Sequence, residues 1–155
     1  MKEKSIMLVE DNNHDEQLTL RELRKNNIAN EIVIARDGEE ALDLLFRGVE
    51  LAGTQGNGLP EALLLDLNLP KVDGLEVLRR IRNDSRTKTL PVVVLTASDE
   101  DRDRIKAYSL GINGYVRKPV RFGELGNAAR DLGLFWLLMK HMPFRGTRWQ
   151  PVIGQ

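Results

Sequence analysis

A chain of 155 residues, 41% hydrophobic and 30% charged, has the size and composition of one soluble domain with a single core. Its formal net charge is zero and it has no cysteine, which excludes disulfides and thiol catalysis and removes any overall attraction to nucleic acid or anionic lipid. The opening MKEKSIMLVED meets two acids after a short apolar run, and no window approaches the roughly 18 apolar residues of a membrane span, so a cytoplasmic protein with no leader is expected.

In chain order, Ile6 to Val9 is a first run of strand length, and Glu10 and Asp11 follow it directly. Leu20, Leu23 and Ile28 then recur at helical spacing, with Asn12 or Asn13 as the expected helix cap and His14 as a solvated first-turn residue. A second strand at Ile32 to Ala35 leads to a helix carrying Ala41, Leu44 and Leu45. The segment RGVELAGTQGNGLP, Arg47 to Pro60, has four glycines and a proline and is expected to be a long loop, tolerated at the surface. The third strand, Ala62 to Leu65, ends on Asp66 and is followed by a helix built on Leu75, Leu78 and Ile81. A fourth strand, Val92 to Leu95, runs into Thr96, and the charged run DEDRDR opens a modest helix, its charges on the solvent side, that Gly111 closes. Gly114 to Val116 is a fifth strand, with Lys118 beyond it and a last helix from about Arg121. Strands that are apolar throughout and alternate with helices predict an α/β fold, a doubly wound five-stranded parallel sheet covered on both faces.

Asp66 is the puzzle in this pattern, because a carboxylate at the end of a buried strand is costly unless its charge is compensated. In an open parallel sheet, ligands bind beyond the carboxyl ends of the strands. Glu10, Asp11, Asp66, Thr96 and Lys118 all fall at that edge, from four different strands. Clustered carboxylates repel one another unless a hard cation joins them, and oxygen ligands with room for water suit Mg²⁺. A carboxylate such as Asp66 is also a competent nucleophile toward phosphorus, and Lys118, Thr96 and the cation would neutralise the spread charge of a phosphoryl group in flight.

The stretches VED (Val9 to Asp11), LLLDLNLPKVDG (Leu63 to Gly74), VVVLTAS (Val92 to Ser98) and GYVRKP (Gly114 to Pro119) resemble the response-regulator receiver domain of two-component signalling. The resemblance covers residues 4–140 and implies a flavodoxin-like receiver fold. It further implies that Glu10 and Asp11 form an acidic pair, that Asp66 accepts the phosphoryl group, and that Asn68 offers its backbone carbonyl to Mg²⁺. Pro70 and Gly74 would shape the loop after the third strand. Thr96 and Tyr115 would be a switch pair, Lys118 the phosphate-binding lysine, and Pro119 the proline that often follows a cis peptide. Glu10 stands where many members have Asp, and the longer side chain would reach the metal through water. The DLNLPKVDG form of the motif, the long loop expected before the third strand and LFWLLMKHMP late in the chain also resemble stand-alone regulators that partner bacterial phytochrome-type histidine kinases.

The competing enzyme reading is an aspartyl-phosphate hydrolase of the haloacid-dehalogenase type. Those enzymes need a second acid two residues after the nucleophile, and Asn68 there cannot donate a proton in that role. Residues 141–155 form a short tail, too brief for a DNA-binding or catalytic effector domain, and its Arg145 and Arg148 are a thin footprint for nucleic acid. The last helix places Leu134, Leu137 and Leu138 off its core-facing stripe, so an apolar patch meets water. Such a patch predicts an interface, most simply a homodimer through this helix, with the tail residues Phe144 and Trp149 reaching over the partner.

Overall fold

The computed structural model describes residues 5–25, 31–55, 59–97 and 101–118. Within them the elements run β1 (Ile6–Val9), α1 (Asn13–Lys25), β2 (Ile32–Ala35), α2 (Gly38–Gln55), β3 (Ala62–Asp66), α3 (Gly74–Asn83), β4 (Val92–Thr96), α4 (Asp101–Ser109) and β5 (Gly114–Arg117). The five strands make one parallel sheet in the order β2-β1-β3-β4-β5, so the chain reverses its winding between β1 and β3. That is the flavodoxin-like order, whose switch point opens a crevice at the carboxyl ends of those two strands.

Side-chain alternation divides the core in two. Met7, Val9, Leu63, Leu65, Val92 and Val94 face α2 and α3, packing with Leu45, Leu78 and Ile81. Ile6, Leu8, Leu64, Val93, Leu95 and Val116 face the other way, where Leu23 of α1 joins them. Both faces are covered, which is why these strands read as unbroken apolar runs.

Three helices begin at the same edge with similar caps. The Asn12 side chain accepts from the Asp15 N–H (2.9 Å), Asp37 from Glu40 (2.8 Å) and Asp73 from Glu76 (3.0 Å). Each cap satisfies a helix N–H that has no partner inside the helix, and the acid three residues on favours the positive helix end. Gly111 closes the turn after α4 at φ +74°, as its position in the sequence predicts.

The expected loop at Arg47 to Pro60 is corrected: α2 continues to Gln55. Glycine weakens a helix by only about 1 kcal/mol relative to alanine, whereas a breaker is proline, and Pro60 lies past the helix end. Val49, Glu50, Leu51 and Ala52 extend the helical sequence across Gly48 and Gly53. Ile28, Pro119 and the whole of the expected last helix lie outside the described residues.

At the opposite edge of the sheet, Arg82 near the end of α3 ties three segments together. Its guanidinium donates to the carbonyls of Leu110 (2.6 Å), Gly111 (3.0 Å), Leu90 (2.8 Å) and Lys88 (3.1 Å). These carbonyls belong to the turn after α4 and the approach to β4, so one side chain fixes how α3, α4 and β4 meet.

Candidate functional site

The carboxyl ends of β1, β3 and β5 bring Glu10, Asp66 and Lys118 together, and strand alternation explains why. Residues 6, 8 and 10, residues 62, 64 and 66, and residues 114, 116 and 118 share one parity, so all three functional side chains follow the register that faces α1. The Lys118 ammonium donates to Asp66 Oδ2 at 2.9 Å and to Glu10 Oε2 at 3.0 Å. It also donates to Asp15 Oδ2 at 2.9 Å. Three N–H groups thus meet three carboxylates, two of them almost wholly buried: Glu10 is 0% exposed and Asp66 2%. This answers the puzzle of Asp66, whose charge sits beside an ammonium and whose Oδ1 accepts the Asn68 backbone N–H at 3.0 Å.

Asp15 was not among the sequence candidates. The signal for it was present: it stands one helical turn after Asp11, in the third position of a helix capped by Asn12, where a side chain rises back over the start of the helix.

Charge in this cluster is unevenly matched, with Glu10, Asp11, Asp15 and Asp66 around a single lysine. Burial pushes the Glu10 carboxyl up to about 7, against the pull of its hydrogen bond from Lys118. For Lys118, burial works to lower the pKa, but the hydrogen bonds to Glu10, Asp15 and Asp66 prevail and raise it above its ordinary value. Glu10, Asp11 and Asp66 each offer a carboxylate oxygen within 4.8 Å of the other two, a spacing at which one cation can bridge them. Glu10 Oε1 is buried and accepts no hydrogen bond, although the Lys118 ammonium lies 2.8 Å away as an ion pair outside hydrogen-bonding geometry. Asp11 is exposed and gives such an ion a route from solvent. An all-oxygen donor set with an open side fits a hard divalent cation.

Thr96 ends β4, fully buried, and its carbonyl accepts the Lys118 N–H at 2.7 Å. Tyr115 has the other parity and packs on the α2 and α3 side of the sheet. There its ring stacks on Tyr108 at 6.4 Å and lies under the Arg104 guanidinium at 5.4 Å. Asn68 and His14 are exposed, and His14 makes none of the contacts above. The loop after β3 is tightly folded: a side chain on Gly74 would place its Cβ 2.4 Å from the Asp66 carbonyl oxygen, and Lys71 takes φ +68°. Leu134, Leu137, Leu138, Phe144 and Trp149 lie outside the described residues.

Comparison with known proteins decides the family. The model of the response regulator receiver domain matches residues 6–130. The chain belongs to the response-regulator receiver family. Among receivers, it is 41% identical to the probable methanogenesis regulatory protein FilR2 of Methanothrix harundinacea over 138 residues, 89% of this chain and 86% of that protein. It is 38% identical over 140 residues to the response regulator Rcp1 of Synechocystis sp., 90% of this chain and 93% of the relative. The solved bacteriophytochrome response regulator AtBRR is 47% identical, with a TM-score of 0.73 over 88% of this chain and 96% of that one. The receiver fold and the narrower resemblance to phytochrome response regulators are both borne out, and membership of this signalling family does not favour the hydrolase reading. A crystal structure of Rcp1 is described as its Mn²⁺-bound form, in keeping with the acidic cluster here. Among the described residues, no helix is long and apolar enough to cross a membrane.

Proposed function

We propose that this receiver takes a phosphoryl group from a histidine kinase onto Asp66 and relays the signal through protein contacts. The observation that carries the reading is the Lys118 ammonium held 2.9 Å from Asp66 within a site that presents three clustered carboxylates. In the transfer, an Asp66 carboxylate oxygen forms the new bond to phosphorus while the P–N bond to the kinase histidine breaks, and the imidazole nitrogen keeps the electron pair. Lys118 stabilises the phosphoryl oxygens through charge-assisted hydrogen bonds, and the Thr96 hydroxyl donates to one of them. Glu10, Asp11, Asp66 and the Asn68 carbonyl are the groups that would hold Mg²⁺, which supplies neutralisation of phosphoryl charge when bound. Thr96 and Tyr115 form the switch pair, and slow loss of the phosphoryl group by hydrolysis returns the site to its starting state. Incubation with acetyl phosphate and Mg²⁺, followed by peptide mapping, tests this reading: label belongs on Asp66, and label on His14 instead refutes it.

A metal prediction follows from the unequal charges. Mg²⁺ at a hundredfold excess over its Kd stabilises a folded protein by about 3 kcal/mol, so the melting temperature should rise by several degrees. Asp11→Ala should remove most of that rise and Glu10→Ala less, because Lys118 already engages Glu10. A wild-type melting temperature that ignores millimolar Mg²⁺ counts against the metal site.

The likeness to phytochrome response regulators supports a phytochrome-type histidine kinase as partner, in the cytoplasm. Zero net charge supports partners other than nucleic acid or membrane. We also propose that the receiver occupies residues 4–140, that residues 141–155 act as a docking arm, and that the chain forms a homodimer through Leu134, Leu137 and Leu138. The support is the apolar excess of LFWLLM. Light scattering across a dilution series should give a dimer mass for the wild type and a monomer for the Leu134→Glu, Leu138→Glu double variant. A wild type that is monomeric throughout overturns the dimer.

A further inference from the structure

Asp15 has no part in the functions given above, yet it takes one of the three hydrogen bonds of the central lysine. It differs from the lysine's other two acceptors. Glu10 and Asp66 leave the ends of β1 and β3 and are buried, whereas Asp15 comes from the first turn of α1 and its side chain keeps 24% of its surface in contact with solvent. Asp15 is also outside the group of carboxylates spaced to share a cation. Among the described groups of this site its side chain's partner is Lys118, and it places a carboxylate beside the ammonium from the partly exposed side.

That charge has two opposed effects on phosphoryl chemistry. As an acceptor it adds a third anchor, beside Glu10 and Asp66, to a lysine ammonium carried on a flexible four-carbon stem. As an anion it offsets part of the positive potential that an incoming phosphodonor, itself an anion, meets at the site. We propose that Asp15 is a positioning residue for Lys118 and that its charge restrains the reactivity of Asp66 toward dianionic phosphodonors. The inference rests on Asp66 being the acceptor.

Asn and Ala at position 15 separate the two effects. Asn keeps an oxygen acceptor for the Lys118 N–H and loses the charge, while Ala loses both. With acetyl phosphate, the Asp66 oxygen bonds to phosphorus, the P–O bond to the acetyl group breaks and acetate leaves with the electron pair. The donor is a dianion near neutral pH, whereas phosphoramidate is chiefly a monoanion and releases ammonia as its P–N bond breaks.

The experiment uses the full chain with Mg²⁺ and measures initial phosphorylation rates with each donor. Asp15→Asn should react about three- to tenfold faster with acetyl phosphate at low salt, and its gain with phosphoramidate should be distinctly smaller. Separately, a ¹H–¹⁵N correlation of the Lys118 ammonium, slowed in exchange by its three acceptors, should be visible in the wild type and in Asp15→Asn and be lost in Asp15→Ala. An Asp15→Asn rate within twofold of wild type, or an equal gain with both donors, overturns the charge effect. An unchanged ammonium signal in Asp15→Ala overturns the positioning. If the wild type takes no phosphoryl group from either donor, the acceptor assignment fails together with the charge effect, and the ammonium signal alone decides whether Asp15 holds Lys118.

Discussion

Asp66→Asn reduces phosphoryl labelling to background with acetyl phosphate or a phosphorylated kinase, while the fold is retained. The amide has nearly the shape of the carboxylate, but it offers one acceptor oxygen where Asp66 uses two, Oδ1 for the Asn68 N–H and Oδ2 for Lys118, so it keeps one of these two contacts. What it lacks is the anionic lone pair that attacks phosphorus. Stability should change little, because the lost hydrogen bond is offset by removing one negative charge from a group of four clustered carboxylates, three of which share one lysine. In the absence of divalent cation, the variant should be as stable as the wild type or more stable by about 1 kcal/mol, and the gain on adding Mg²⁺ should shrink. Mass spectrometry of the intact chain reads the first effect and thermal melting with and without Mg²⁺ reads the second. Labelling that persists in Asp66→Asn would place the acceptor elsewhere.

Arg82→Ala costs about 3 kcal/mol of stability, a large loss for a charged residue outside the site. Hydrogen bonds from a charged donor contribute roughly 1.5–3 kcal/mol each, though four from one side chain are not additive, and some of the released carbonyls regain water. The guanidinium is half-buried, and it joins α3 to the turn after α4 and to the strand entry at Leu90. Lysine is a poor substitute, because a single ammonium cannot span carbonyls that the planar fork reaches from three nitrogens. Urea titrations of wild type, Arg82→Ala and Arg82→Lys check this, and a loss below about 1 kcal/mol for Arg82→Ala would show that the three segments hold together without it.

The strands were legible from the sequence to within one residue at their ends. Ile6–Val9 and Ile32–Ala35 coincide with the apolar runs, and β3, β4 and β5 each extend by the polar residue that follows, namely Asp66, Thr96 and Arg117. The extension has a physical cause: hydrogen bonds between strands continue past the last apolar residue, since the backbone pairs whatever the side chain is. The full length of α2 was not legible from its glycines, whose helix penalty is modest and is absorbed by a long helix.

The sequence by itself determined the number of strands, their alternation with helices, and the edge at which Glu10, Asp11, Asp66, Thr96 and Lys118 would gather, because each follows from periodicity and from position at a strand end. Which of these side chains touch was decided only by the tertiary structure. Strand parity puts Glu10, Asp66 and Lys118 on the face of α1 and Tyr115 on the opposite face, but parity acquires that meaning only once neighbouring strands are in register. The bond from Lys118 to Asp15 joins residues 103 positions apart, and the Arg82 bonds to Leu110 and Gly111 join residues 28 and 29 apart. Local patterns carry burial and backbone geometry, which act over a few residues. A long polar side chain chooses its partner from whatever the packed elements bring within 3 Å, and that choice exists only after the sheet and helices have closed around it.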